Sequence, residues 1–368
     1  MISVFKIGGS LLRKPEDYKK VANYLAVRGG EKVIVVSAMK GITQQLRGLV
    51  EDPRLDVFRS NVCERYYDAM DEVGGDVQPL NALEEEGVRV LKRLRRSSGS
   101  ERALLADKLV ALGEFFSTAV IAEALLNLGV RAKALSGGEA GIVTDGSFGH
   151  ARPLFPRCLF EIRASLFPII RSGQIPVVSG FTGVTPSGAI TTLGSGGSDL
   201  SATLIGAALS VSRIELWTDS GGIYTGDPDR LEGALLLPRA SLGEADAMAK
   251  FRVKNFHPLT FKPLKAFDGV VAVLDPFDNK GTVISRKRCY PPLKTVRRIN
   301  RKLLVIGWGA LNLSKTIARI VGASTLQAGR FYAILCLKTE EAAMSAYTRV
   351  HDYIVFDLLR GEAPWLTS

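Results

Sequence analysis

Short β-branched runs alternate with longer amphipathic stretches over most of the chain. Val33-Ile34-Val35-Val36 is apolar at every position and is bounded by charge on one side and small residues on the other. That is the pattern of a strand buried on both faces. Pro176-Val177-Val178-Ser179, Arg213-Ile214-Glu215-Leu216-Trp217 and Val270-Val271-Ala272-Val273-Leu274 read the same way, and so does the opening run ending at Phe5-Lys6. Between them, helical spacing covers Pro15 to Ala26, Ala103 to Leu128, Ser198 to Leu209 and Leu242 to Phe251. The alternation predicts an α/β fold, a mostly parallel sheet sandwiched by helices. Residues 51–106 are charged and helix-prone with Gly and Pro interruptions, and predict a helical insertion. Pro291-Pro292 predicts a linker, after which the pattern restarts. Strand Leu303 to Ile306, helix Leu311 to Val321, strand Phe331 to Lys338, helix Thr339 to Val350 and strand Tyr353 to Phe356 predict a small C-terminal α+β unit.

Composition narrows the class. With 368 residues, 46% hydrophobic and 23% charged, the chain can bury a core without disulfides or metals. The four cysteines, Cys63, Cys158, Cys289 and Cys336, form no close pair, and His150, His257 and His351 are scattered, so no metal site is expected. No uninterrupted apolar run of membrane-spanning length and no signal-peptide pattern is evident, and a cytoplasmic protein with no membrane partner is expected. The net charge of +11 is uneven: the stretch from Ser285 to Lys302 is basic and has no acidic residue, and Lys92-Arg93-Leu94-Arg95-Arg96 is a second cluster. Neither carries interleaved aromatics or finger spacing, so solvated surface is preferred over nucleic acid.

Candidate chemistry sits where strands end. Lys6-Ile7-Gly8-Gly9-Ser10 places glycines beside a lysine, so backbone N–H groups can approach a phosphate closely. It lacks the Walker spacing. Val36-Ser37-Ala38-Met39-Lys40-Gly41-Ile42-Thr43 is a second such loop. Thr191 to Asp199, through Gly194-Ser195-Gly196-Gly197, is a third and runs into an apolar helix that Ser198 and Asp199 could cap. Trp217-Thr218-Asp219-Ser220-Gly221-Gly222-Ile223-Tyr224-Thr225-Gly226-Asp227-Pro228 is a fourth.

In order and spacing, these segments resemble aspartate kinases of the amino acid kinase superfamily. Leu112-Gly113-Glu114, Gly180-Phe181-Thr182-Gly183 and Phe251-Arg252-Val253-Lys254-Asn255-Phe256-His257-Pro258 belong to the same set. The resemblance covers residues 1 to about 284. It implies a catalytic domain over 1–284 that uses ATP and Mg²⁺ to phosphorylate L-aspartate, a basic linker over 285–302, and an ACT-like domain over 303–368. By the same resemblance, Lys6, Asp199 and Lys254 are catalytic. Gly8, Gly9, Thr218, Asp219, Tyr224 and Arg230 hold the nucleotide. Ser37, Thr43, Glu114, Ser195, Gly196, Gly197, Ser198 and Arg252 lie on the acceptor side, with Glu114 pairing the substrate amine. Mg²⁺ would be held largely by phosphates, with no protein metal site.

Three positions depart from the family pattern. Ser195 stands where the family has an arginine for the substrate α-carboxylate, and Arg152 and Arg252 are the candidate replacements, Arg252 standing where the family has glycine. The first loop is the more generic Lys-Ile-Gly-Gly-Ser-Leu. Asp229 occupies the place of a family arginine, with Arg230 beside it. The open alternatives are a sister kinase with another small amino-bearing acceptor and an inactive regulatory partner of an aspartate kinase. The C-terminal unit is long enough for one ACT-like module, not two. It is expected to serve homodimerisation, without tight feedback by lysine or threonine.

Overall fold

The computed structural model describes residues 2–278 and 280–360; Met1, Asn279 and the last eight residues of the expected C-terminal domain lie outside them. The chain divides into two compact units, residues 1–219 and 220–368.

The first unit is built on β1 (Ser3–Ile7), β2 (Lys32–Val36), β3 (Ala132–Leu135), β4 (Ile175–Ser179), β5 (Thr182–Val184), β6 (Ile190–Thr192) and β7 (Arg213–Trp217). Five of these pair in parallel in the order β3-β4-β2-β1-β7, while β5 and β6 form a separate antiparallel hairpin. Every residue of β2 is buried, which requires a cover on both faces. One layer is the helix Gly99–Asn127, on β3, β4 and β6, wrapped by the helices Pro15–Ala26, Ile42–Glu51, Glu64–Val73 and Gln78–Leu94. The other is the helix Gly197–Ala208, on β1, β2 and β7, with Phe155–Arg171 packed beside it. The expected helical insertion is thus part of a layer. Helix Gly99–Asn127 is apolar and long enough to cross a membrane, yet 83% of its most apolar window is buried inside the protein. It is a core helix.

Parallel pairing brings the carboxyl ends of β1, β2, β4 and β7 to one edge. Successive connections from β1 run first toward β2 and later return to β7, so the order reverses between β1 and β7, where an open α/β sheet leaves a crevice. The glycine loops open there.

The second unit contains β8 (Arg239–Ser241), β9 (Val270–Leu274) and β10 (Gly281–Ser285), with β10 antiparallel to β9 and parallel to β8. It continues into β11 (Thr295–Ile299), β12 (Lys302–Ile306), β13 (Ser324–Gly329) and β14 (Tyr332–Cys336). These last four form an antiparallel sheet ordered β11-β12-β14-β13, packed with the helices Ala310–Val321 and Glu340–Arg360. The basic stretch expected as a linker therefore contains a strand. The expected strand over Tyr353–Phe356 is helical: Ala343, Ala346, Tyr347, Val350 and Ile354 repeat at helical spacing and are all buried, so the helix continues through them. Among the described residues the small sheet is completed by β11 at one edge, and the segment expected as its last strand is helix.

Candidate active site

At the end of β1, Gly8 and Gly9 are present because nothing larger fits. A Cβ on Gly8 would lie 2.7 Å from the Trp217 carbonyl oxygen, and one on Gly9 would lie 2.6 Å from that of Ala38. The backbone closes across the crevice: Gly8 N donates to Trp217 O (3.1 Å), and Ser10 Oγ accepts from Asp219 N (3.3 Å). This brings the first loop to Thr218 and Asp219. Lys6, on β1, reaches Asp199 of the following helix layer, Nζ to Oδ1 2.7 Å, with both side chains about one-eighth exposed.

That pair changes the reading of the third loop. The helix Gly197–Ala208 is led in by Gly196 at φ 78°, with no side-chain cap. Ser198 and Asp199 lie inside its first turn, and the carboxylate turns to Lys6 instead of capping, because a charge-assisted contact outcompetes a neutral N–H. Gly194 also has φ 81°. Ser198 is buried, while Ser195 is exposed at the tip. Gly180 lies against Ser198: a Cβ there would come within 2.7 Å of the serine Cβ. Next to it Phe181, at φ 66°, holds a strained backbone, pinned by N–H donation to Ser201 Oγ (3.1 Å) and by its carbonyl accepting from Leu193 N (2.8 Å).

On the acceptor side, Ser37 continues β2, its N–H donating to Ile7 O (3.1 Å), and Thr43 opens the helix Ile42–Glu51 after Gly41 at φ 89°. Below them lies Glu114, 3% exposed. Its Oε1 accepts from Ala38 N (3.2 Å), and its Oε2 is buried with no partner. Burial pushes its carboxyl up to about 8, against the opposing pull of the Ala38 N–H and the more distant Arg47. The half-satisfied acid is held in place: Tyr66 OH donates to Gly113 O (2.8 Å) and accepts from Met39 N (3.1 Å). A buried carboxyl with one free oxygen at a strand-end loop suits a cationic ligand.

In the second unit, Tyr224, Arg230 and Lys254 line one cavity of about 480 Å³. Lys254 Nζ donates to Ser220 Oγ (2.9 Å) and to the Gly222 carbonyl, and Arg230 Nε lies 3.3 Å from Asp227 Oδ2. Arg252 adopts φ 52°, the left-handed conformation that glycine occupies without strain. Its side chain is exposed, as is that of Arg152.

The amino acid kinase family model matches residues 1–275. The chain belongs to the amino acid kinase family. Within that family its relatives are aspartokinases. It is 30% identical to the lysine-sensitive aspartokinase 3 of Escherichia coli over 85% of this chain and 70% of that one. It is 33% identical to the chloroplastic aspartokinase 3 of Arabidopsis thaliana, over 77% of this chain and only 53% of the plant protein. The solved structure of E. coli aspartokinase III in complex with aspartate and ADP superposes at a TM-score of 0.74 and 26% identity, covering 92% of this chain and 79% of that one. The protein is a kinase of the aspartokinase type, with the mostly parallel, helix-covered sheet of its family.

One residue in this kinase went unread in the sequence. Asp107, 4% exposed, accepts from Gly149 N (2.9 Å), Thr192 N (2.7 Å) and Thr192 Oγ1 (2.9 Å). It ties the loop carrying His150 and Arg152 to the strand that feeds the third glycine loop. Burial raises its carboxyl, partly offset by those donors. A lone Asp in a helical stretch carries no local signal for this role, since both partners are more than forty residues away in the chain.

Proposed function

We propose that the protein transfers the γ-phosphoryl group of ATP to the side-chain carboxylate of L-aspartate, giving 4-phospho-L-aspartate and ADP. The observation that carries this is the buried, half-satisfied Glu114, held by the Ala38 N–H of the loop after β2, together with the Lys6–Asp199 pair. One group is suited to an ammonium, and the other places positive charge at a glycine loop where anions gather. The E. coli relative whose structure holds aspartate and ADP supports the same substrates here.

In this reading Glu114 Oε2 takes the substrate amine, and Ser198 and Thr43 line the acceptor. The free carboxylate oxygen attacks the γ-phosphorus while the bond to the β–γ bridging oxygen breaks and ADP leaves. Lys6, held in position by Asp199, and the Gly8–Gly9 amides neutralise charge on the moving phosphoryl group, and the family resemblance assigns Lys254 to the phosphates as well. Gly8, Gly9, Thr218, Asp219, Tyr224 and Arg230 serve the nucleotide. Ser37, Ser195, Gly196, Gly197 and Arg252 complete the acceptor set. A Mg²⁺ held largely by the nucleotide phosphates would supply charge neutralisation there. The catalytic region is 1–284, in a cytoplasmic homodimer.

Ser195 favours a second reading, a sister kinase with a different small amino-bearing acceptor. An exposed hydroxyl does not replace a bidentate guanidinium. The test for both is ADP release with aspartate, homoserine, serine, glutamate and no acceptor, on wild type and Lys6→Ala. Aspartate-dependent release that falls by about a hundredfold or more in the variant is expected. Release with another acceptor alone would select the sister kinase. No acceptor-dependent release, or a fully active folded Lys6→Ala, would remove the proposed site.

A further inference from the structure

The helix Glu64–Val73 lies in the stretch that the sequence marks as an insertion, and none of the candidate motifs falls on it. It carries two adjacent residues, Arg65 and Tyr66, that both reach the glycine loop after β2. That loop does not satisfy its own backbone. Four successive amides leave it for four different partners. Ser37 N donates to Ile7 O (3.1 Å), Ala38 N to Glu114 Oε1 (3.2 Å), Met39 N to Tyr66 OH (3.1 Å) and Lys40 N to Leu12 O (2.9 Å). Two of the four acceptors are side chains, so Glu114 and Tyr66 set the course of the loop as much as the backbone does.

Tyr66 ties the loop to the helix that carries Glu114. Its hydroxyl accepts from Met39 N and donates to Gly113 O (2.8 Å). Consecutive loop residues, Ala38 and Met39, are thereby joined to consecutive helix residues, Glu114 and Gly113, one pair directly and the other through the phenol. The phenol is rigidly placed. Tyr66 is fully buried, its ring stacks on Phe116 with centroids 5.0 Å apart, and Ser117 Oγ lies 3.2 Å from its oxygen. Tyr18 OH stands behind, 2.7 Å from Ser117 Oγ. Burial pushes the Tyr66 phenol well above its ordinary range, so the proton that bonds Gly113 O stays. Arg65 acts on the same loop: its Nη2 donates to Arg13 O (3.1 Å), and Nη1 and Nη2 each lie 3.5 Å from Lys40 O. That fork fastens the loop to the chain leaving the first glycine loop.

We propose that Tyr66 and Arg65 are positioning residues for the amino-acid acceptor: they fix the loop after β2 against Glu114 and so set acceptor affinity without touching the acceptor. A loop that drifts must be ordered again each time the ammonium binds, and that ordering is subtracted from the affinity. This rests on the reading of Glu114 as the partner of the substrate amine.

The test is steady-state kinetics with L-aspartate and ATP, together with thermal melting, on wild type, Tyr66→Phe, Arg65→Lys and Tyr18→Phe. Tyr66→Phe keeps the ring and removes the bridging oxygen. Arg65→Lys keeps the charge and removes the fork that spans two carbonyls. Tyr18→Phe makes the same chemical change one link further along the buried network, where the hydroxyl meets Ser117 and no loop amide, so it controls for lost stability. Aspartate KM should rise about three- to tenfold in Tyr66→Phe and about two- to threefold in Arg65→Lys, with ATP KM unchanged in both. Tyr18→Phe should lower Tm and leave aspartate KM at the wild-type value. A merely structural hydroxyl would reduce the folded fraction, and with it kcat, but neither KM. Wild-type aspartate KM in Tyr66→Phe or in Arg65→Lys would overturn the role of that residue, and an equal rise in Tyr18→Phe would overturn the whole proposal, with the reading of Glu114 left standing. Should Tyr66→Phe fail to fold, Arg65→Lys, at a half-buried position, decides alone. No aspartate-dependent turnover in the wild type would bring down both readings.

Discussion

Glu114 is the residue whose chemistry is most open to measurement. Its carboxyl is pushed from 4.5 to about 8 by burial, so the folded protein keeps a proton there that the unfolded chain has lost. Between those values the native state binds more protons than the unfolded state, and stability falls as pH rises through this window. Glu114→Gln removes the penalty. Its Tm should match wild type near pH 4.5 and exceed it at pH 8, with the amino-acid acceptor no longer bound. The same shift means that an ammonium ligand must expel the proton at pH 7. Calorimetry in buffers of different ionisation enthalpy should therefore show close to one proton released per acceptor bound. No proton release, together with unchanged melting in Glu114→Gln, would show that the carboxyl is already ionised. The need of this acid for a partner was legible in the sequence from its apolar helical surroundings. That one oxygen would stay unpaired was not, because it depends on which backbone donors β2 brings within reach.

The elements that matter are the strand-end loops, where tightness is the working property. Gly9→Ala would put a methyl 2.6 Å from the Ala38 carbonyl oxygen, backbone that cannot move without shifting β2 and the Ala38 N–H that Glu114 holds. We expect a folded protein by circular dichroism with kcat down at least about tenfold, since small misplacement of positioning groups is costly. Wild-type kcat in that variant would show that the loop is not part of the transfer site. Helix and strand boundaries here were largely readable. The helix Pro15–Ala26 and the strands Arg213–Trp217 and Val270–Leu274 follow their periodicity to the residue. The loops were readable as glycine-rich turns at strand ends. The start of the helix Gly197–Ala208 was misread, because capping propensity is local whereas the Lys6–Asp199 contact joins residues far apart in the chain.

At the scale of the molecule, the helix Glu340–Arg360 is tied to the loop that carries Tyr224. His351 Nε2 lies 3.0 Å from Thr225 Oγ1, and Tyr347 OH accepts from Asp227 N (3.2 Å). Burial lowers the His351 imidazole from its ordinary 6.5, against the opposing pull of Asp352. Below about pH 6.5 the unfolded chain takes up a proton that the native site resists, so this contribution to stability is lost as pH falls. His351→Gln, which can keep the contact to Thr225, should flatten the decline of Tm as pH falls below about 6.5. An unchanged acid limb would show that His351 is free to protonate in place. The sequence by itself determined the layered α/β class, the order of the glycine loops and most of the charged residues gathered there, because hydrophobic period and turn chemistry are local properties. Tertiary structure alone decided the rest. Thr295–Ile299 is charged enough to read as linker, yet becomes a strand because β12 offers an unpaired edge and Val296 a buried face. Tyr353–Phe356 has strand composition, yet stays helical because Val350 and Ile354 fall on the stripe that covers the small sheet. The partners of Asp107, Asp199 and Thr225 are set by which strands lie side by side, and pairing between distant segments leaves no periodic trace in the chain.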